Sequence, residues 1–429
     1  MDMYQINYRN HIVVNISLFS LFLLLGGCTG KKPATIIVEE EQKSNIINLD
    51  DAFEVFKEIR LSDIADSVSF LPLETKSNCL IRSHAFSFTT SSIYNAPVGY
   101  FDWTGKYQGK IIKVGQGPYE EAGDGAYGTV LFKDNHYYSK ASKLIEYDSK
   151  GTPTGKVMNL YAEREFSDND KFRNGVEFFI AGKNLAIFGY PDKMYFINPE
   201  NFETISTRII FVTDTVLSPI WRQPVGGNFI TFYKDKTVFY NFMNDTIFYV
   251  TDDELEPRWI VNFTDKRLPN EYVLRFRDLL ADLGKIFKSG TSLDNSEIVR
   301  LSDNKHYVSG AFETELYVFF RMNEMIQFHE RRGKNPPVPY IALFDKNTGE
   351  TVRTKGSGFI DDIMGMDYFY PHTIFDEKMI SYIWPHELLE FIEEKQKNGQ
   401  TVNPKILALS KTIDADDNPI IIFVHLKQR

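Results

Sequence analysis

The sequence predicts an all-β fold of the β-propeller type with small helical insertions, and three observations carry that prediction. Short runs rich in β-branched and aromatic residues recur from about Ile59 onward, among them Lys110-Ile111-Ile112-Lys113-Val114, Phe229-Ile230-Thr231-Phe232-Tyr233 and Leu316-Tyr317-Val318-Phe319-Phe320. Turn signals separate them, as at Lys133-Asp134-Asn135, Gly182-Lys183-Asn184 and Lys234-Asp235-Lys236. Finally, a strand that ends in Asp or Asn before a polar turn repeats along the chain, at Asp102, Asp148, Asn198, Asp252 and Asp345. The first three steps are 46, 50 and 54 residues, and the last is 93, close to two units. Such a period is that of four short strands per blade, and each blade buries its faces only against its neighbours. The carboxamide or carboxylate suits the turn between a blade's outer strands.

Composition fits this fold. The chain of 429 residues is 43% apolar, enough for a sizeable core, and 14% aromatic, with 35 Phe and 23 Tyr. Flat rings pack well on a pleated surface. A net charge of −10, with no basic stripe, opposes nucleic-acid binding. The cluster Arg331-Arg332 with Lys334 reads as a solvated loop.

At the start of the chain, residues 1–27 read as a signal peptide: a polar opening with Arg9 and His11, then an apolar stretch from Ile12 to Leu25. That stretch is short for a bilayer span. Leu25-Gly26-Gly27-Cys28 resembles the bacterial lipobox, which makes Cys28 the expected lipid-attachment residue and acyl chains (palmitate among them) the expected anchor. Residues 28–58, with Lys31, Lys32, Pro33 and Glu39-Glu40-Glu41, read as a tether. Thr29-Gly30-Lys31-Lys32-Pro33 lacks the acidic residues of the surface-export signal of Bacteroidetes lipoproteins, so the expected location is the periplasmic side of the outer membrane. Residues 59–429 form the expected propeller domain. Helical spacing marks an insertion near 270–288 and a helix near 385–397, and Asn403-Pro404 could open a further short one.

Several segments carry a family resemblance. Leu61-Ser62-Asp63-Ile64 through Leu73-Glu74-Thr75, then Phe101-Asp102 to Tyr107 with Ile111 to Glu120, resemble the opening and first blade of the six-bladed, TolB-like β-propeller lipoproteins of Bacteroidetes. Asn244-Asp245-Thr246-Ile247-Phe248 with Trp259 to Phe263, and Asp417-Asn418-Pro419-Ile420, are similar to that family's middle and closing segments. The resemblance implies six blades over roughly residues 59–429. It brings no catalytic residues, because the family is defined by fold rather than by a reaction.

Motifs that suggest chemistry fail on inspection. Gly115-Gln116-Gly117-Pro118-Tyr119-Glu120 has Glu120 where a dinucleotide loop needs glycine. His386-Glu387-Leu388-Leu389-Glu390 lacks the second imidazole of a zinc helix, and Asp414 to Asn418 lacks the glycine and glutamate of a calcium loop. Asp252-Asp253 and Asp361-Asp362 are paired acids in turns without a defined partner, and Gly356-Ser357-Gly358 is not a nucleophile elbow. Cys79 reads as a packed thiol. Asp66-Ser67-Val68, Asp214-Thr215-Val216 and Asp245-Thr246-Ile247 are similar to the acceptor triplet of Bacteroidetes O-glycosylation. Trp103, Trp221 and Trp384 could stack on sugars, although packing is the commoner role.

The sequence therefore assigns no catalytic, cofactor or metal residues. The leading expectation is a binding or interaction scaffold held on a membrane by its lipid, with a glycan, peptide or envelope protein as partner. The alternative is a propeller lyase or lactone-type hydrolase with a metal at the central channel, and a third is a structural envelope subunit. Acidic and imidazole groups converging at a channel mouth would favour the enzyme, and an apolar-aromatic channel would favour binding.

Overall fold

The computed structural model describes residues 45–428 except 83–85, 96–97, 114, 121–128, 141–142, 160–177, 190–192, 210–227, 242–243, 273–299 and 326–338. Residues 45–429 make one compact unit. Cys28, Trp221, the Asp214 triplet, the Arg331 cluster and most of the expected 270–288 helix lie outside the described residues.

Six antiparallel four-stranded sheets follow one another along the chain. Blade 1 comprises Phe86–Phe88, Ile93–Asn95, Gly99–Phe101 and Tyr107–Gly109; blade 2 comprises Thr129–Lys133, His136–Lys140, Lys143–Tyr147 and Pro153–Asn159. Blade 3 is Phe178–Ala181, Asn184–Gly189, Lys193–Ile197 and Thr204–Ile209; blade 4 is Asn228–Tyr233, Lys236–Asn241, Thr246–Thr251 and Glu254–Asn262. Blade 5 is His306–Glu313, Tyr317–Glu324, Tyr340–Asp345 and Thr351–Thr354. Blade 6 takes Thr373–Phe375, Lys378–Ile383 and Ile420–Leu426 from the end of the chain and Ala65–Pro72 from its start.

The ring is closed by packing as well as by pairing. The first to the fourth blades share three cores: Ile111, Tyr137 and Tyr147 with Tyr94, then Leu144 with Leu185 and Ile197, then Phe188 and Phe196 with Phe239. Trp259 with Phe320 and Phe344 joins blade 4 to blade 5, Phe319 with Ile374 and Ile422 joins 5 to 6, and Phe101 with Ile380 and Phe423 joins 6 to 1. Every blade thus buries both faces, as the alternation of its strands requires.

The repeat seen in the sequence is the turn between the third and fourth strands. Asp102 Oδ1 accepts from the Thr104 and Lys106 amides, Asp148 Oδ1 from Lys150 and Thr152, Asn198 Oδ1 from Glu200, and Asp345 Oδ1 from Asn347 and Thr348. These are Asx turns. Asp252 departs from the pattern. It has φ 46°, and its carboxylate accepts from the Lys183 amide of blade 3 at 3.0 Å. The 93-residue step from Asp252 to Asp345 is a single blade, because the turns belong to blades 4 and 5. The chain between Asn262 and His306, not a missing blade, lengthens it.

Residues 45–58, read from sequence as the end of the tether, join the propeller. Ile46–Asn48 pairs in parallel with Ile260 to Asn262 at the edge of blade 4, and Phe56–Lys57 with Arg353 and Thr354 at the edge of blade 5. The next strand, Ala65–Pro72, closes blade 6. The start of the chain therefore girdles three consecutive blades and covers edges that would otherwise expose unpaired backbone groups. Arg353 fastens this girdle: its guanidinium lies 4.0 Å from the Phe56 ring centre and 5.2 Å from that of Phe53.

Helices cover Pro385–Lys397, opened by proline and capped where Glu387 accepts from the Trp384 amide, and Pro404–Ser410, capped by Asn403. Both pack Leu388, Ile392 and Ile406 into the core shared by blades 5 and 6. Among the described residues no helix is long and apolar enough to cross a membrane.

Candidate functional site

Short inner strands leave a channel along the ring axis. It encloses about 1130 Å³ and is lined by Phe86 and Phe88, Val130 and Phe132, Phe178 and Ile180, Ile230 and Phe232, and Ile374 and Phe375, one pair from each of five inner strands. The hydroxyls of Ser87, Thr89, Thr231 and Thr373 are interspersed. Successive residues of an inner strand turn toward the blades on either side, as Phe178 and Phe179 do, and the strand edge between them borders the channel, so residues of both faces line it.

One wall is a continuous aromatic surface. Trp103 stacks on Phe375 at 5.8 Å and 18°, and Phe88 lies 6.4 Å from Trp103 and 6.5 Å from Phe375. Trp103 Nε1 donates to the Thr90 carbonyl at 3.2 Å, which fixes the indole. Trp103 therefore both packs between blades 1 and 6 and lines the channel. Trp384 instead packs at the head of its helix, 6.4 Å from the His386 ring.

The hairpins between first and second strands form one mouth, where Lys234, Asp235, Glu315, Asp376, Glu377 and Lys378 meet. Tyr233 and Lys234 donate to Glu315 at 3.1 and 2.9 Å, and the Lys234 bond is the main cause of the lowered Glu315 pKa. The Glu315 amide donates to Glu377 at 2.9 Å, yet burial pushes the Glu377 carboxyl upward. Behind the rim, Glu313 is 2% exposed and accepts from Arg258 at 2.8 Å, Lys346 at 2.7 Å and Tyr249 at 3.2 Å. Burial lowers the Lys346 pKa; for Arg258 burial acts the same way but is outweighed by the bonds to Glu313, and its pKa rises. This network ties blade 4 to blade 5. No sequence motif announced it, because Arg258 and Glu313 lie on different strands and Lys346 in a turn, all far apart in the chain.

The residues singled out from sequence have structural partners. Asp252 bonds Lys183, and Asp253 bonds Arg208 at 3.2 Å. Asp361, 2% exposed, accepts from the amides of Ile363, Met364 and Met366, while Asp362 accepts from the Ser62 amide and hydroxyl. The Gly115–Glu120 loop directs the carbonyls of Gly117, Pro118 and Glu120 at Lys143 Nζ, the opposite polarity to a phosphate cradle. Asn418 is buried and bonds the Ile81 amide and the Glu74 and Cys79 carbonyls. Cys79 is 1% exposed, and its thiol donates to the Glu74 carbonyl. Ser67 of one glycosylation-like triplet is exposed on the outermost strand of blade 6, and Thr246 of another is half-buried and donates to Asp245. Among the described residues, no three His, Cys, Asp or Glu side chains converge to hold a metal.

Comparison with solved structures supports the same architecture. A crystal structure of a "putative exported protein" from Bacteroides fragilis superposes with a TM-score of 0.58 at 17% identity, covering 87% of this chain and 98% of that one. At this identity the likeness shows the fold alone. The WD40 domain of Neurospora crassa Pan2 (TM-score 0.28, 10% identity, 52% of this chain and 50% of that one) and BamB of Moraxella catarrhalis (0.27, 9%, 67% and 63%) match too loosely to support any argument. No curated protein matches the chain. A family model matches residues 44–425, nearly the whole propeller together with its girdle, and the chain accordingly belongs to that family, a domain of unknown function designated DUF4934.

Proposed function

We propose that this protein is a binding module of the bacterial envelope, exported, lipidated at Cys28, held on the periplasmic side of the outer membrane, and taking a ligand with an apolar body into its central channel. The observation that carries the reading is the channel itself: about 1130 Å³ walled by aromatic and aliphatic side chains with a few hydroxyls. Small-molecule sites are of this size and polarity. Leu25-Gly26-Gly27-Cys28 supports the anchor, and a fold shared with a protein described as exported is consistent with it. At the described mouth Lys234 pairs with Glu315 and Lys378 with Asp376, so these groups serve the ring before they serve any ligand.

Two measurements test the reading. Cells producing the full chain and fed labelled palmitate should label it, and Cys28→Ser should abolish the label. The mature chain from Thr29 onward, prepared without lipid, should bind the neutral dye N-phenyl-1-naphthylamine with a fluorescence rise. Ser87→Trp, which places an indole in the channel, should remove that binding. A chain that binds no apolar dye, or binds it equally after Ser87→Trp, refutes the channel as the site.

A further inference from the structure

Beside residues that immediately precede the channel lining, toward the start of the inner strands, stands a cation with which no carboxylate among the described residues pairs. Arg321 lies on the second strand of blade 5, opposite Gly310. The register between this strand and the inner strand shifts from Val308 to Gly310, so Ser309 is an extra, bulged residue. Bulges re-aim side chains. Here the Arg321 side chain crosses Gly310 so closely that a Cβ there would sit 2.6 Å from Nε and 3.2 Å from Nη2. Any larger residue there would force the guanidinium to move.

The guanidinium reaches where three blades converge. Its carbon is 5.2 Å from the Phe312 ring centre in blade 5 and 5.5 Å from that of Phe229 in blade 4. Nη2 donates to the Ser309 carbonyl at 3.1 Å, and Nη1 to the His372 carbonyl, at the start of blade 6, at 2.8 Å. Phe229 precedes the channel residue Ile230, and His372 precedes Thr373. The guanidinium thus touches the residues next in sequence to two that line the channel.

Its charge is uncompensated. Among the described residues no carboxylate forms an ion pair with Arg321, in contrast to Arg258, which has Glu313. Nε is buried without a hydrogen-bond partner. Burial lowers the pKa, and the phenol of Tyr370 acts in the opposite direction without offsetting it. A guanidinium has five N–H groups, of which two are used on carbonyls here. A desolvated cation that keeps open donors is costly unless something anionic meets it. The residue is half-buried, and its Nη1 bond to the His372 carbonyl lies toward the exposed side.

Resting on the channel reading above, we infer that Arg321 is the anion-recognition group of this channel and that the ligand is a carboxylate or similar oxyanion with an apolar body: head on the guanidinium, body along the aromatic wall. Arginine suits this task because its planar fork meets a carboxylate with two parallel bonds.

The test compares two dyes with the same aromatic skeleton: 1-anilinonaphthalene-8-sulfonate, which is anionic, and N-phenyl-1-naphthylamine, which is neutral. The chain from Thr29 onward should bind the anionic dye about tenfold or more tightly than the neutral one, the scale of a charge-assisted hydrogen bond, and laurate should displace it where dodecyltrimethylammonium does not. Arg321→Gln should lose that preference and bind the neutral dye as before; Arg321→Lys should keep part of it. Gly310→Ala, with Arg321 still present, should weaken the anionic dye selectively. Circular dichroism confirms that each variant is folded. If wild type binds the two dyes alike, or Arg321→Gln weakens both equally, the anion inference is overturned while the channel reading stands. If neither dye binds, or Ser87→Trp leaves binding unchanged, both fall.

Discussion

Asn418 offers the sharpest quantitative test of how the ring is held shut. It is 2% exposed and precedes the blade 6 strand that pairs with the start of the chain. Its Oδ1 accepts from the Ile81 amide at 2.8 Å, and its Nδ2 donates to the carbonyls of Glu74 at 2.7 Å and Cys79 at 2.9 Å. All three partners lie on the crossing from blade 6 to blade 1. Asn418→Ala removes three bonds worth about 1 kcal/mol each and leaves the Ile81 amide and the Cys79 carbonyl without their partner, each orphan adding to the cost, while the Glu74 carbonyl keeps the Cys79 thiol. The expected loss is about 3–5 kcal/mol. The assay is urea unfolding of the chain from Thr29 onward, followed by far-ultraviolet circular dichroism and tryptophan fluorescence, with coincident transitions required before a free energy is extracted. A loss below about 1 kcal/mol with an unchanged slope would refute the reasoning, because it would mean that water or backbone shifts replace all three bonds.

Three further outcomes are expected. Glu313→Gln removes the negative charge between Arg258 and Lys346; breaking a buried pair typically costs about 3–5 kcal/mol, and the same urea experiment should show a loss of that order. Gly182 has φ 53°, and a Cβ there would lie 2.4 Å from Asp252 Oδ1, so Gly182→Ala should lower the melting temperature well beyond what the same change does at Gly399, where nothing lies within 4 Å. The His306 ring is pushed down to about 4, chiefly by burial and then by Arg353 and Lys266. A folded-state pKa below the unfolded one means that the unfolded chain binds the proton first. Stability is therefore full above about pH 6.5 and falls as pH drops toward 4, by about 1–2 kcal/mol after discounting for partial exposure. His306→Phe should flatten that stretch of the stability profile, and an unchanged profile would exclude His306 as its source.

The fold was legible because its determinants are local and repeated. Strand runs, inner hairpins such as Asp134-Asn135 (φ 49° and 64°) and the Asx turns at Asp102, Asp148, Asn198 and Asp345 each depend on residues only a few positions apart. The helix at Pro385–Lys397 was legible for the same reason. The girdle was not: Ile46-Ile47-Asn48 is too short to declare itself a strand, and it becomes one only because the edge of blade 4 offers unpaired backbone groups. Nor was the blade count across the 93-residue step, since a long connection and a skipped blade leave the same spacing in a sequence.

The candidate site divides along the same line. Sequence by itself determined that the chain is all-β, radially repeated, rich in aromatic rings and lacking any local catalytic motif, because composition and short-range pattern suffice for each. Only the tertiary structure decided which rings border the channel, that Trp103 is one of them, that Glu313 lies between two cations and that Arg321 has no carboxylate partner among the described residues. The physical reason is that charge compensation and cavity lining are properties of side chains meeting from different blades. Strand alternation names two faces for every residue, and closure of the ring assigns each face its neighbours.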